Sequence, residues 1–299
     1  MRIEVVEPEG RLDSYVAKRV TDYSRSYLSQ LIGDGLITVN GQKSKVSYKP
    51  VKGDIIDIII PEPVNTDALP EDIPLNIVYE DDDLIIINKP QGMVVHPACG
   101  HHEGTLVNAL LSHCGDDLSD INGVIRPGIV HRIDKDTSGL MVACKNNETH
   151  LKLADMLSRH EIKRQYRTVV YGVVGPDKGT INAPIGRSES DRRKMTVIEG
   201  GKPSITHFEV VKRYSKATDL KIDLETGRTH QIRAHMTYIG HPVVGDPLYA
   251  SKKPKYDMIG QVLHSQTISF IHPRTGKELY FTTDLPEYYK NLLGKLDEI

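Results

Sequence analysis

Residues 61–74, PEPVNTDALPEDIP, carry four prolines and four acidic residues and no apolar period on which a helix or strand could pack. A stretch that cannot join a core separates two. The chain of 299 residues is therefore read as a first unit over 1–62, a linker over 63–75 and a second unit over 76–299. The first is too small to be a catalytic body.

Within it, Leu12, Tyr15, Val16 and Val20 fall near helical spacing. A second helix, capped by Ser24 or Ser26, shows an apolar Tyr27-Leu28-Leu31-Ile32 face and stops at Gly33 and Gly35. Ile37-Thr38-Val39 runs as a strand into the turn-forming pair Asn40-Gly41, and Ile55–Ile60 forms another strand. In the second unit, DDLIIINKP and GMVVHP read as strands ending at Pro90 and Pro97, and GTLVNALLSH as a helix. A further helix is expected over NNETHLKLADMLSRHEI, with Leu151, Leu153, Ala154 and Leu157 as its apolar stripe. QYRTVVYGVV, ITHFEVVKRY and TDLKIDLE are β-branched strands, the last two joined as a hairpin through Ser-Lys-Ala. Strands outnumber helices and do not alternate regularly with them, so the class is α+β rather than a doubly wound sheet.

Charge separates along the chain. Residues 131–235 hold 20 basic against 13 acidic residues, whereas residues 66–130 hold 2 against 11. A polyanion is drawn to the first part and repelled by the second, although the net charge is only −2. The three cysteines fit no disulfide framework, and neither a long apolar run nor a charged-then-apolar leader is present, which together argue for a cytoplasmic protein with no membrane partner.

Between Gly128 and Asn146, the polar run His131-Arg132-Ile133-Asp134-Lys135-Asp136-Thr137-Ser138-Gly139 sits between apolar flanks. Asp134 and Asp136 followed by hydroxyls fit a metal-dependent phosphatase in which the first carboxylate attacks phosphorus. The intervening His131-Arg132 and the lack of a second acidic cluster count against it. A structural metal site is not expected either. Cys99, His101, His102, His113 and Cys114 have no paired-ligand spacing, and His230 and His235 stand five apart with no glutamate between them. Both histidines read as ordinary surface or hydrogen-bonded residues.

His131-Arg132-Ile133-Asp134 with Thr137-Ser138-Gly139 resembles the HRLDxxTSG signature of the RluA/RluD group of RNA pseudouridine synthases, with Ile133 in place of leucine. NKPQGMVVHPA (88–98), IKRQYRTVV, TGRTHQIRAHMTYIGHPVVGDPLY (226–249) and LHSQTISFIHP (263–273) resemble further elements of that group, in order. The stretch from Arg11 through Arg25 to Gly41 resembles the small RNA-binding module first known from a ribosomal small-subunit protein. The resemblance covers nearly the whole chain. It implies a small α/β RNA-binding module followed by a mixed, largely antiparallel-sheet catalytic domain. The implied activity is conversion of uridine to pseudouridine in structured RNA, most of all large-subunit ribosomal RNA, with no cofactor; the oligomeric state is open, with a monomer favoured.

The chemistry breaks the bond between ribose and uracil, turns the ring and rejoins it through carbon. The base must first leave its stack. By resemblance Asp134 is the reacting carboxylate, attacking the anomeric carbon or taking a proton from its neighbour. Arg233 is the partner that keeps Asp134 ionised, suited to this because guanidinium does not lose its proton. Tyr166 would stack on the flipped uracil, with its hydroxyl available for removing the ring proton. Arg132 would fill the gap in the helix, and Arg228 and His131 would meet the RNA. Asp136, Thr137 and Ser138 are expected to fix the loop through side-chain bonds to backbone N–H groups. Arg25 and Lys45 on the first unit, and the runs Lys163-Arg164…Arg167 and Arg192-Arg193-Lys194, are further phosphate contacts. A silent RNA-binding assembly protein is the remaining alternative, favoured only if Asp134 is exposed and unpaired.

Overall fold

A computed structural model describes residues 1–21, 23, 25–60, 68–97, 103–115, 117–121, 127–250 and 256–297. The N-terminal unit is built around the Asn40-Gly41 turn, where both residues take positive φ (52° and 76°) as a two-residue hairpin requires. It contains β1 (Arg2–Glu4), α1 (Leu12–Ala17), α2 (Arg25–Asp34), β2 (Ile37–Val39), β3 (Gln42–Lys43) and β4 (Ile55–Ile58). The strands pair in the order β1-β4-β2-β3, all antiparallel, and Leu12, Val16, Leu28 and Ile32 of the helices pack on Ile37, Ile56 and Ile58. Ser24 lies outside the described residues, as do 61–67, which include the start of the expected linker, and Cys99, His101 and His102. The rest of that linker is docked. Ala68 is buried in the main core of the second unit, and the Asn108 amide donates to Leu69 O at 2.7 Å.

The second unit continues with β5 (Ile77–Glu80), β6 (Leu84–Lys89), α3 (Leu106–Cys114), β7 (Ser138–Cys144), α4 (Asn147–Ser158), β8 (Lys163–Tyr171) and β9 (Lys178–Asn182). After them come β10 (Ile185–Arg187), β11 (Met195–Val197), β12 (Ile205–Arg213), β13 (Ala217–Leu224), α5 (Gln231–Tyr238), β14 (Leu263–Ile271), β15 (Glu278–Thr282) and α6 (Glu287–Asp297). Nine of the strands form one sheet in the order β5-β6-β7-β14-β8-β13-β12-β9, with β15 paired to β14. Every pairing in it is antiparallel except β7 with β14. The expected α+β class holds.

The unbroken apolar runs of β6 and β7 reflect burial on both faces. Leu84, Ile86, Leu140 and Val142 face Leu153 and Met156 of α4, while the alternating Ile85, Ile87, Met141 and Ala143 face α3 and α5 on the other side. Helix α4 presents Thr149, His150, Leu153 and Met156 inward, and Leu151 is 44% exposed. Residues 151 and 153 are about 200° apart on a helix, so they cannot share the stripe first read there.

GMVVHP is not a strand. Val94 O and Val95 O accept from the N–H groups of Leu106 and Val107 (2.9 and 3.0 Å), so the segment satisfies the first turn of α3 instead of a ladder. Thr105 completes that helix start with a capping box to Asn108. Arg192-Arg193-Lys194 lies between the two strands of the antiparallel ribbon β10–β11. No helix among the described residues is long and apolar enough to cross a membrane.

Candidate active site

Asp134 lies on the loop that enters β7, next to the parallel β7–β14 seam. At that seam Gly139 has φ +110°, and a Cβ there would sit 2.2 Å from Ser265 O. Only glycine permits both the conformation and the approach.

The loop is not fixed as expected. Thr137 Oγ1 accepts from Gln261 Nε2 (3.1 Å) and Ser138 Oγ bonds His264 Nδ1 (2.7 Å) and Tyr288 OH (2.8 Å), none of them loop backbone groups. The loop's carbonyls are instead held from outside. Gln91 Nε2 donates to Asp136 O (3.1 Å), and the fully buried Lys89 donates to Lys135 O (3.0 Å), Pro90 O and Met93 O (both 2.8 Å). Burial pulls the Lys89 amine down to about 7, with Asp136 and Asp134 opposing. Three carbonyl acceptors at one nitrogen require its three protons, so it stands as the ammonium ion.

Across the loop, helix α5 brings Arg233. Its Nη1 donates to Asp134 Oδ2 at 2.8 Å, while Nε and Nη2 grip Asp246 Oδ2 and Oδ1 at 2.6 and 2.9 Å. Both carboxylates, with burial opposing, raise the guanidinium pKa further above its ordinary value. The Arg233 side chain is 4% exposed, Asp246 0% and Asp134 20%. The buried fork fixes the arginine, and the carboxylate that reaches the cavity is Asp134. Asp246 itself is anchored, since Oδ1 also accepts from the N–H groups of Leu248 (2.9 Å) and Tyr249 (3.0 Å).

His230 begins α5 in the left-handed region (φ 54°). That conformation is sparse for a non-glycine residue and recurs at working sites. The Tyr249 hydroxyl donates to Met195 O (3.0 Å) and accepts from Met195 N–H (2.7 Å), so its bond to His230 Nδ1 (3.0 Å) uses the histidine's proton. The other nitrogen, Nε2, then stands bare 3.8 Å from Asp134 Oδ1. His235 points away, its ring bonded to Thr206 Oγ1 and Ala183 O.

Asp134, His230 and Arg233 line a cavity of about 560 Å³, together with Tyr166, Arg132 and Arg228. Its size suits a nucleotide-scale ligand. Tyr166, 5% exposed, rises from the middle of β8 opposite Ser265 of β14, and burial raises its pKa. Arg132 and Arg228 are exposed at the rim, with Arg132 Nη1 3.4 Å from His96 Nε2 and Arg228 Nε donating to Pro203 O.

His131 differs from its expected role of meeting RNA. Its Nε2 accepts the Val142 N–H (3.1 Å), and burial, with Arg164 adding to it, pulls its pKa down to about 3. A neutral ring bonded to a strand's backbone holds the loop and offers phosphate no charge. Arg167 is likewise turned away from RNA by its pairing with Asp219. On the N-terminal unit Arg25 is exposed while bonded to Asp13 (2.8 Å), and Lys45 is exposed.

The sequence reading missed Asp246, His230 and Lys89. The first two lie within the motif that held Arg233, and Lys89 lies in the upstream one; only distance in space tells them apart from surface charges.

A mixed sheet whose central seam presents one arginine-bound carboxylate beside a buried tyrosine, in a cleft of about 560 Å³, has the make-up of an enzyme site for a nucleotide-sized substrate. Comparison with known proteins narrows that class. The model of the RNA pseudouridylate synthase family matches residues 83–238, and that of the S4 domain matches residues 10–56. An uncharacterised RNA pseudouridine synthase of Bacillus subtilis (strain 168), YlyB, is 49% identical over 96% of this chain and 94% of its own. The ribosomal large subunit pseudouridine synthase D of Zymomonas mobilis is 43% identical over 93% of this chain and 90% of its own. Human RNA pseudouridylate synthase domain containing 1 shares the fold, with TM-score 0.58 and 22% identity over 76% of this chain and 96% of its own. This chain belongs to the RNA pseudouridylate synthase family and is an enzyme that isomerises uridine in RNA, carrying an S4 domain in front.

Proposed function

We propose that the substrate is large-subunit ribosomal RNA, modified in the cytoplasm by a monomer, and that Asp134 is the carboxylate that meets the ribose. The observation that carries this reading is the Asp134–Arg233 contact at 2.8 Å, inside the cavity that Tyr166 lines. The rRNA assignment draws on relatives named for the ribosomal large subunit, with 43% identity over nearly the full length. The exposed Arg25 and Lys45 of the S4 domain and Arg132 and Arg228 at the cavity rim supply the phosphate contacts.

In this scheme the flipped uridine enters with its ring against Tyr166 and its sugar at Asp134. Arg233, held by Asp246, sets a fixed positive charge 2.8 Å from the Asp134 carboxylate. As the bond from C1′ to N1 breaks, its electron pair leaves with the ring. Asp134 meets the electron-poor sugar at C1′ or takes the proton of C2′. The ring turns over the tyrosine face, C5 bonds C1′, and the proton lost from C5 is balanced by one gained at N1. Nothing is added or removed, so no cofactor is called for.

The test is carbodiimide-based primer-extension mapping of ribosomal RNA from cells with and without this protein, complemented by wild type or Asp134→Asn. Sites that disappear without the protein, return with the wild type and stay absent with Asp134→Asn support the proposal. An unchanged large-subunit map refutes the substrate, and conversion by the Asn variant refutes the role of Asp134.

A further inference from the structure

Arg164 stands on β8 two residues before Tyr166 and is 8% exposed, yet its Nε has no hydrogen-bond partner and no acidic side chain pairs with it among the described residues. Two neighbouring arginines have acid partners. Arg233 holds two carboxylates and Arg167 holds Asp219. A cation shut from water with no counter-charge is costly, and such groups persist where a ligand supplies the charge. Arg164 lines the same cavity as Asp134 and Tyr166. Room has been left for it as well. A Cβ at Gly227, which is not at positive φ, would lie 2.7 Å from Arg164 Nη1, so the glycine keeps the guanidinium's place open.

Residues two apart on a strand point to one face, roughly 7 Å apart. Arg164 and Tyr166 therefore reach into the cavity side by side. The Tyr166 hydroxyl feels Asp134, which raises its pKa, and Arg164, which lowers it, so it lies within the field of both charges. With the sugar at Asp134 and the ring on Tyr166, the far edge of the base and its carbonyl oxygens fall toward Arg164. Phosphates stay on the strand outside, where Arg132 and Arg228 are exposed. An arginine this deep meets the base.

We propose that Arg164 is a catalytic residue whose guanidinium takes up the negative charge that uracil acquires on leaving the ribose. This rests on the reading of Asp134 as the carboxylate at the sugar. When the bond from C1′ to N1 breaks, the electron pair spreads over N1, O2 and O4, and when C5 bonds C1′ the pair returns. Uracil is neutral on entry and charged only in between, so the interaction strengthens in the transition state, where it accelerates the reaction.

The test uses single-turnover cleavage of an RNA transcript that the wild type converts, made with UTP or with 5-fluoro-UTP and read as loss of the N-glycoside on nucleoside chromatography. Fluorine at C5 stabilises the ring anion and relieves the need for the cation. Arg164→Met should slow the uridine reaction on the order of 10²–10³-fold, as removal of an oxyanion donor does, with little change in RNA affinity. On the fluorinated RNA the loss should shrink by about tenfold or more, and Arg164→Lys should recover part of the rate on uridine. Arg164→Met should also melt no earlier than wild type, because it removes an unpaired buried charge. Equal losses on both RNAs, a defect confined to binding, or a lower melting temperature overturns the proposal, and the second marks a phosphate contact instead. Cleavage by Asp134→Asn on the same RNA would fail the underlying reading whatever Arg164 does.

Discussion

Replacing Asp246 by asparagine leaves the shape of the site and removes a fully buried charge paired with Arg233. In the wild type, Asp246 Oδ1 accepts from Arg233 Nη2 and from the Leu248 and Tyr249 N–H groups, while Oδ2 accepts from Arg233 Nε. An asparagine oxygen placed at Oδ1 keeps three of these bonds and sets its NH₂ against the Nε–H, donor against donor. Losing a charge-assisted bond costs about 1.5–3 kcal/mol. Breaking a buried pair outright costs about 3–5 kcal/mol, a ceiling not reached here because Asp134 remains as counter-charge. The expected loss is about 2–3 kcal/mol, or roughly 5–10 °C of melting temperature for a domain of this size.

Turnover should fall further than stability implies, by about 10–100-fold at saturating RNA, because the fork sets the plane from which Nη1 reaches Asp134 and a small misplacement is costly. Urea unfolding and single-turnover conversion measure the two effects separately. If Asp246→Asn keeps wild-type turnover, the fork does not position the catalytic pair, and the account of how Arg233 is held is wrong.

Arg233→Ala should remove nearly all conversion and leave Asp134 without its partner, whereas full activity at saturating RNA would separate the two residues functionally. Tyr166→Phe should bind RNA like wild type and Tyr166→Ala should lose turnover, as read by single-turnover assays; equal behaviour of the two would exclude stacking. Gly139→Ala drives a Cβ to 2.2 Å from Ser265 O at φ +110°, and should cost more than about 4 kcal/mol, seen as a loss of soluble protein or a collapse in melting temperature. His150 and His264 are pulled down to about 4 by burial, and His131 to about 3. Because the unfolded chain binds these protons first, stability is complete above about pH 6.5 and falls as pH drops toward 4, by up to about 1.4 kcal/mol per unit for each ring; a flat urea profile from pH 7 to 5 would refute this.

Legibility from sequence followed the range of the forces involved. Strands β6, β8, β12 and β13 were readable because their composition and period come from neighbouring residues. Val94-Val95 was misread because a β-branched pair suits an extended chain equally well when its carbonyls serve a helix start rather than a ladder. Helix α4 was found, but its face was not, since Leu151 is apolar and exposed while His150 is polar and buried. Asp134, Arg233 and Tyr166 were located by motif, and the cavity they share was not visible until the sheet brought β7, α5 and β8 together.

Charge was the least legible property because its meaning depends on partners far along the chain. Arg167, Arg164 and Arg233 are alike as letters. Yet the first is tied to Asp219, the last is forked on Asp246 across 13 residues and on Asp134 across 99, and Arg164 pairs with no acid among the described residues. Those three states carry different consequences. Arg167 belongs to the architecture, Arg233 is held between two carboxylates, and Arg164 is, in the proposal above, the cation for a charge that exists only while the base is detached. In that proposal two of the arginines that line one cavity, one paired with acids and one not, serve the two halves of the reaction: Arg233 beside Asp134 on the ribose side, where the anion persists, and Arg164 on the uracil side, where it is transient.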